Sequence, residues 1–425
     1  MPNAVDVAVI GTGAAPLVAA RHLLEAGRSV LVLNPDWDFF REDSELPLDP
    51  LWPPVASALS PKRLARSSPD RLLARLRPEF PGPVELWSGE GGDGTGGYHD
   101  LGAPHARARG RLWLHSTAAG AAVLRSDRWE RIEEMYVGAS DAGFHPQILE
   151  GLPASRRFPG HSGPADELDR GVLIPRLCDV DVSRFRTGLQ EYLRERLGPD
   201  GMVSRAGPIE LAADGVRYRR DGAAASVSVA RAVLIFWTPR LTPWLESQFT
   251  PQLKKEGGGW KREPTGARVW ELWNLVSRDP VDPSTVGVFG DLTVWVSGEG
   301  VPGKGPSASR GLSVLRPGAR VGLAGVPADE GARAWVAPQS FAAVEDLARD
   351  LLGWDRFSIR SVKPRVLMEW DPAQLEDLSE VFAARFKRGE REVSVVAGAD
   401  GPLADVVESA ARAAEAVAQL AEAVS

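Results

Sequence analysis

"VAVIGTGAAPLVAARHLLEAGRSVLVLN", residues 7–34, decides the fold. Val7 to Ile10 is an unbroken apolar run, as expected of a strand buried on both faces of a parallel sheet. Gly11-Thr12-Gly13 then turns the chain, and Leu17, Ala20, Leu23 and Leu24 recur at helical spacing. Gly27 stands where the residue after a helix end favours glycine, and Val30 to Leu33 reads as a second strand. Strand, glycine turn, helix and strand make a βαβ unit, the context that gives a Gly-x-Gly pattern its meaning.

Gly11 permits the tight turn, and Gly13 lets a pyrophosphate approach the backbone. The helix that follows presents free N–H groups and a positive dipole end to the same point. Gly11, Thr12, Gly13, Ala14 and Ala15 are therefore the candidate phosphate-binding residues. Two positions depart from the usual dinucleotide pattern. Pro16 fills the third glycine slot; it fits the first helical turn, where no N–H is needed, but its ring sets the helix slightly farther from the strand. Asn34 stands where an acid accepts both ribose hydroxyls, and an amide offers one acceptor and a donor instead. Asp36 is close enough to substitute. Two readings stay open here, a working dinucleotide site or a relic of the fold without its ligand.

The chain has 425 residues, 43% hydrophobic and 25% charged, which suits two or three soluble units at about 150 residues each. A net charge of −7 argues against nucleic acid as a partner. The single cysteine, Cys178, allows no internal disulfide and fits a reducing compartment. No signal-like segment leads the chain, and no apolar run approaches the roughly 18 residues of a membrane span, so a soluble, cytoplasmic protein is expected. Six histidines show no metal-ligand spacing, no G-x-S-x-G elbow is present, and Cys178 lacks a basic setting; neither a metal site nor a hydrolase is expected.

Residues 35–97 form a proline-rich insertion with short helices, and the glycines of "GEGGDGTGG" (89–97) have no strand before or helix after them, so they are not a phosphate loop. A helical stretch is expected over 124–150, a strand and helix over 172–198, and a β-meander running into a buried strand at 232–237. Residues 265–370 carry alternating strand patterns such as "RVWELWNLV" (268–276), with a helix at 340–354. The chain closes with a strand, a glycine turn and a long Ala-rich helix.

Four segments, taken in order, resemble the flavoprotein clan that includes D-amino-acid oxidases, glycine oxidases, monoamine oxidases and phytoene-type desaturases. They are the opening βαβ, "GGYHDLGAP" (96–104), "CDVDVSRFRTGLQEYL" (178–193) followed by "ARAVLIFWTP" (230–239), and "VVAGADGPLADVVESAARAAEAV" (395–417). The resemblance implies an α/β chain: a Rossmann-like FAD-binding domain with a parallel sheet, and an α+β substrate domain with a mixed or antiparallel sheet. The first would be discontinuous, over 1–48, 168–245 and 386–425, and the second would take 49–167 and 246–385. It also implies that Asp400 hydrogen-bonds the ribityl or pyrophosphate part of FAD, within a C-terminal contact set of Gly398, Asp400, Gly401, Pro402 and Leu403. The helix starting at Gly401-Pro402 would aim its positive end at the flavin. The chain departs from the clan at Pro16, at Asn34, at Trp237-Thr238, in "GAD" (398–400), and in lacking the RxGGR stretch of amine oxidases.

The activity implied is FAD-dependent oxidation of a small or apolar organic substrate, amine oxidase-like or desaturase-like, with no catalytic residue assigned. The alternative is a catalytically silent protein of the same fold that binds a protein partner or a lipid. Arg360 and Arg365 are candidates to anchor a substrate carboxylate, and Lys363 to face the flavin. Trp237, Trp270, Trp273, Trp295 and Trp370 are candidates to line an apolar pocket, against the plain reading of each as core.

Overall fold

A computed structural model describes residues 4–35, 69–87, 112–123, 129–141, 143–150, 170–180, 182–236, 244–245, 248, 266–277, 285–289, 292–297, 310–321, 338–346, 349, 357–369, 382–388, 391–396 and 403–420. The opening unit is β1 (Ala4–Ile10), α1 (Ala15–Glu25) and β2 (Val30–Pro35). Next come α2 (Pro69–Leu76), β3 (Val84–Trp87), β4 (Leu112–Val123), α3 (Trp129–Asp141), β5 (Gln147–Glu150) and β6 (Arg170–Val180). They lead to α4 (Val182–Leu197), β7 (Met202–Ala206), β8 (Glu210–Leu211), β9 (Gly215–Arg220) and β10 (Ala223–Phe236). The middle holds β11 (Gly266–Ser277), β12 (Thr285–Phe289), β13 (Leu292–Ser297), β14 (Arg310–Val321), α5 (Pro338–Asp346) and β15 (Phe357–Glu369). The chain then closes with β16 (Phe382–Arg388), β17 (Arg391–Val396) and α6 (Leu403–Leu420).

β1 lies between β2 and β10, parallel to both, so its peptide groups pair on two sides. Such a strand meets no water, which is why Val7 to Ile10 are all apolar and all buried. The sheet runs β16-β17-β10-β1-β2-β7-β9-β8, with β17, β10, β1, β2 and β7 parallel. On one face α1, α4 and α6 pack through Leu17, Leu23, Phe185, Leu189, Val407 and Ala414. On the other, Ile10, Leu31 and Ile235 pack beneath Tyr218, Val216 and Leu211 of the β8–β9 hairpin.

β10 does two jobs. Its first half alternates in burial and pairs antiparallel with β9; its last residues are continuously buried and pair parallel with β1 and β17. The expected meander is thus β9 and the outer half of β10, and the expected buried strand is the inner half of that same β10. The expected helix over 124–150 is shorter: it spans Trp129–Asp141, and Gln147–Glu150 instead pairs with β6. The intervening His145-Pro146 favours extended backbone before β5.

The second sheet runs β15-β11-β14-β13-β12-β4-β6-β5, with β3 also on β4. It is mixed, because β12 and β3 run parallel to β4 while its other pairs are antiparallel. Residues 168–245 thus supply both sheets, β6 the second and β7–β10 the first. The architecture is α/β with one parallel-cored sheet and one mixed sheet. The helix α2 touches both units, packing on α6 and against β3, β4 and β6. Among the described residues, no helix is long and apolar enough to cross a membrane.

A buried ion pair ties α1 to the turn after α2: His22 Nε2 lies 2.8 Å from Glu79 Oε2, and Glu79 is 6% exposed. The Glu79 hydrogen bond favours the imidazolium and raises the His22 pKa; burial opposes this, while the charges of Glu79, Glu25 and Glu415 add to it. Because the folded pKa is raised, the stabilisation is complete below the unfolded value of about 6.5 and is lost as pH climbs through the folded value. The melting temperature of His22→Gln should fall further below wild type at pH 6 than at pH 9; an equal gap at both would refute the pairing.

Candidate functional site

β1, β10 and β2 all end at the same edge of the first sheet, Ile10 being in register with Ile235 on one side and Leu33 on the other. The Gly11 N–H donates to the Leu33 carbonyl at 3.2 Å, so the turn is pinned to β2. A Cβ on Gly11 would stand 2.8 Å from Phe236 Cβ, so the parallel neighbour excludes any side chain there. Gly13 has φ +79°, in the left-handed region that favours glycine.

Ala14 caps α1 without a side-chain hydrogen bond, and Pro16 lies in the first turn. The N–H groups of Leu17 and Val18 donate to the Ala14 carbonyl at 3.1 and 3.0 Å. Those of Gly13, Ala14 and Ala15 precede the helix's own ladder and face the turn region. The first turn of α1 carries no acidic residue, so nothing on the helix itself opposes its positive end. Thr12 is half-buried within this turn.

Asn34 follows Leu33 directly, so it stands one residue beyond the carbonyl that holds Gly11. The β2–β7 register breaks between Leu33 and Pro35, which leaves Asn34 at an irregularity. It is half-buried and has no hydrogen-bond partner among the described residues. Leu403, the first residue of α6, is buried in one cluster with Ala14, Ala15, Phe236 and Val396. The two ends of the chain therefore meet at this edge, as the sequence pairing requires. Asp36, Gly398, Asp400, Gly401 and Pro402 lie outside the described residues.

One feature of this edge has no sequence signal. Arg75 of α2 reaches the first turns of α6, with Nη1 3.5 Å from Asp405 Oδ1 and Nη2 2.7 Å from Glu408 Oε2. Asp405 is 9% exposed, and the guanidinium beside it compensates its buried charge. The partners are 330 positions apart, beyond any local periodicity.

In the second sheet, strand alternation sorts the tryptophans. Trp273 shares a face with Glu271; its ring meets Phe341 of α5 edge-on at 4.7 Å, and its Nε1 donates to Glu271 Oε2 at 3.1 Å. Arg316 Nη1 lies 3.5 Å from the same oxygen. Trp273 is thus core under a helix. Trp270 belongs to the opposite face, at the register positions of Arg365 on β15 and Pro317 on β14. Leu272 and Asn274 follow on that face, paired with Lys363 and Ser361, and Asn274 Nδ2 donates to Ser361 Oγ at 2.8 Å. Trp295 is in register with Ser313, itself in register with Asn274. Arg360 is exposed at the register shift between Asn274 and Leu275. Trp237 and Trp370 lie outside the described residues.

No family model matches the chain, and no curated protein sequence matches it. Solved structures do match, and they share the fold of this chain. NikD, an unusual amino acid oxidase essential for nikkomycin biosynthesis, is 15% identical, with 98% of this chain and 94% of that one covered at a TM-score of 0.57. Iminodiacetate oxidase from Chelativorans sp. BNC1 is 13% identical, covering 98% and 95% at 0.56. L-alpha-glycerophosphate oxidase from Mycoplasma pneumoniae, with FAD bound, is 8% identical, covering 98% and 95% at 0.56. At such identities the likeness is one of fold, and it extends over nearly the whole of each chain.

Gly11→Ala should lower unfolding stability by about 1–3 kcal/mol, because the added methyl must displace Phe236 or β10. Urea unfolding measures it, and an unchanged midpoint would contradict the close approach.

Proposed function

We propose that this protein is an FAD-dependent oxidoreductase acting on a small amino-acid-like substrate. The observation that carries the proposal is the edge where the Gly11–Ala15 turn, Asn34 and Leu403 are gathered, within a fold whose solved examples include an oxidase with FAD bound. The residues fit the pyrophosphate: Gly11 leaves no side chain at the turn, Gly13 supplies the left-handed kink, and the Gly13–Ala15 amides are free of the helix ladder. Asn34 would meet the adenosine ribose, and Gly398, Asp400, Gly401, Pro402 and Leu403 the ribityl end, with Asp36 beside the ribose. FAD held there would supply a two-electron acceptor for hydride leaving the C–H bond beside a substrate nitrogen, the C–N bond becoming C=N as that nitrogen gives up a proton.

The chain's own part is to bind and orient. At the register positions of the buried Trp270 and Leu272, β15 carries Arg365 and Lys363, residue types suited to an anion next to an apolar group. Amino and imino acids carry both, and oxidases of such acids share the fold. A soluble, cytoplasmic enzyme follows from this reading. So does the domain division 1–48, 168–245 and 386–425 against the rest, with β6 counted on the second sheet's side.

Purification tests it. The protein should be yellow, or take up FAD on reconstitution, and release it on denaturation. With cofactor bound, a panel of small amino acids and amines should give peroxide or reduce a dye, and Gly13→Leu should lose flavin uptake while remaining folded. A folded, colourless protein that takes up no FAD would overturn the proposal and leave a partner- or lipid-binding role.

A further inference from the structure

We infer that Asn34 makes the adenosine end of this site charge-neutral, so that the chain holds its cofactor exchangeably, and that a carboxylate at this one position converts it to a tight binder. The inference rests on the FAD reading above. The backbone places Asn34 beside the turn: the Gly11 N–H donates to the Leu33 carbonyl, and Asn34 is the next residue, at the irregularity in the β2–β7 register. In a βαβ dinucleotide site that position reads the ribose hydroxyls.

Chemistry then separates the two side chains. A carboxylate has two acceptor oxygens and accepts both hydroxyls in charge-assisted bonds, roughly twice as strong as neutral ones. The Asn34 amide has one acceptor, and its Nδ2 can only donate. Among the described residues, the first turn of α1 offers no acid in its place. Among the described residues Asn34 makes no side-chain hydrogen bond. The acid nearest to Asn34 along the chain is Asp36, outside the described residues, and the experiment includes it.

The test titrates the flavin-free protein with FAD, following quenching of flavin fluorescence, for wild type, Asn34→Asp, Asn34→Glu, Asn34→Ala and Asp36→Asn. Asn34→Asp keeps the side-chain shape and is expected to fold as wild type, checked by its thermal melt. The better carboxylate variant should bind FAD about tenfold more tightly, with the same gain when ADP is the competitor and none when FMN is. Asn34→Ala should bind FAD no more tightly than wild type. A gain below about threefold in both carboxylate variants, or a gain absent with ADP, overturns the inference; so does a large loss in Asp36→Asn, which would make Asp36 the ribose acceptor. If wild type binds FAD and the carboxylate variants bind no tighter, this inference alone fails. If no form quenches flavin at all, the cofactor reading fails with it.

Discussion

The parallel pairing of β1 with both β2 and β10 is the constraint on which the rest depends. A strand paired on two sides and covered on both faces is apolar where it is buried, here Val7 to Ile10, and its exit must clear two neighbours at once. Gly11 is the result: its hydrogen bond to Leu33 holds it against β2 while Phe236 leaves no room for a side chain on the other side. The turn geometry, the direction of α1 and the location of Asn34 all follow from that exit. So does the position of α6, whose first residue shares a cluster with Ala14, Phe236 and Val396.

The two faces of this sheet are closed differently, which explains the chain's interleaving. Helices α1, α4 and α6 cover one face; the other is covered by β8, β9 and the outer half of β10. Covering both faces of one sheet therefore uses segments from three distant parts of the sequence. The stretches between them build the second sheet, and α2 touches both units. Buried polar groups are matched where they occur. Glu271, 1% exposed, meets the Trp273 indole and Arg316, and Glu79 meets His22. Either carboxylate left alone at that depth would be costly.

Charge at the two helix starts is handled in opposite ways. The first turn of α1 has no acid, so its positive end stays available to an anion. The first turn of α6 has Asp405, and a cation from another helix, Arg75, sits against it. Asn34 belongs to the same economy of charge, a neutral group at a strand end next to an uncompensated helix start.

The opening βαβ was legible because its cause is local: apolar run, glycine turn and helical periodicity lie within 28 consecutive residues, 7 to 34. The meeting of both chain ends was legible from the order of motifs. Where the sequence could not decide, the reason was long range. Trp270 and Trp273 look alike in "RVWELWNLV" and both are buried, yet only the tertiary structure puts Trp273 against Phe341 of α5 and Trp270 on the opposite face, at the register position of Arg365. The junction inside β10 was invisible because one strand serves two pairings, and β6 looked continuous with α4 although its hydrogen bonds belong to the other sheet. The sequence by itself determined the glycine turn, the helix it starts and the amide at Asn34, since backbone conformation and side-chain chemistry are local properties. Only the tertiary structure decided what presses against Gly11, which tryptophan faces which side, and which cation answers Asp405, because those contacts join residues that no local pattern relates.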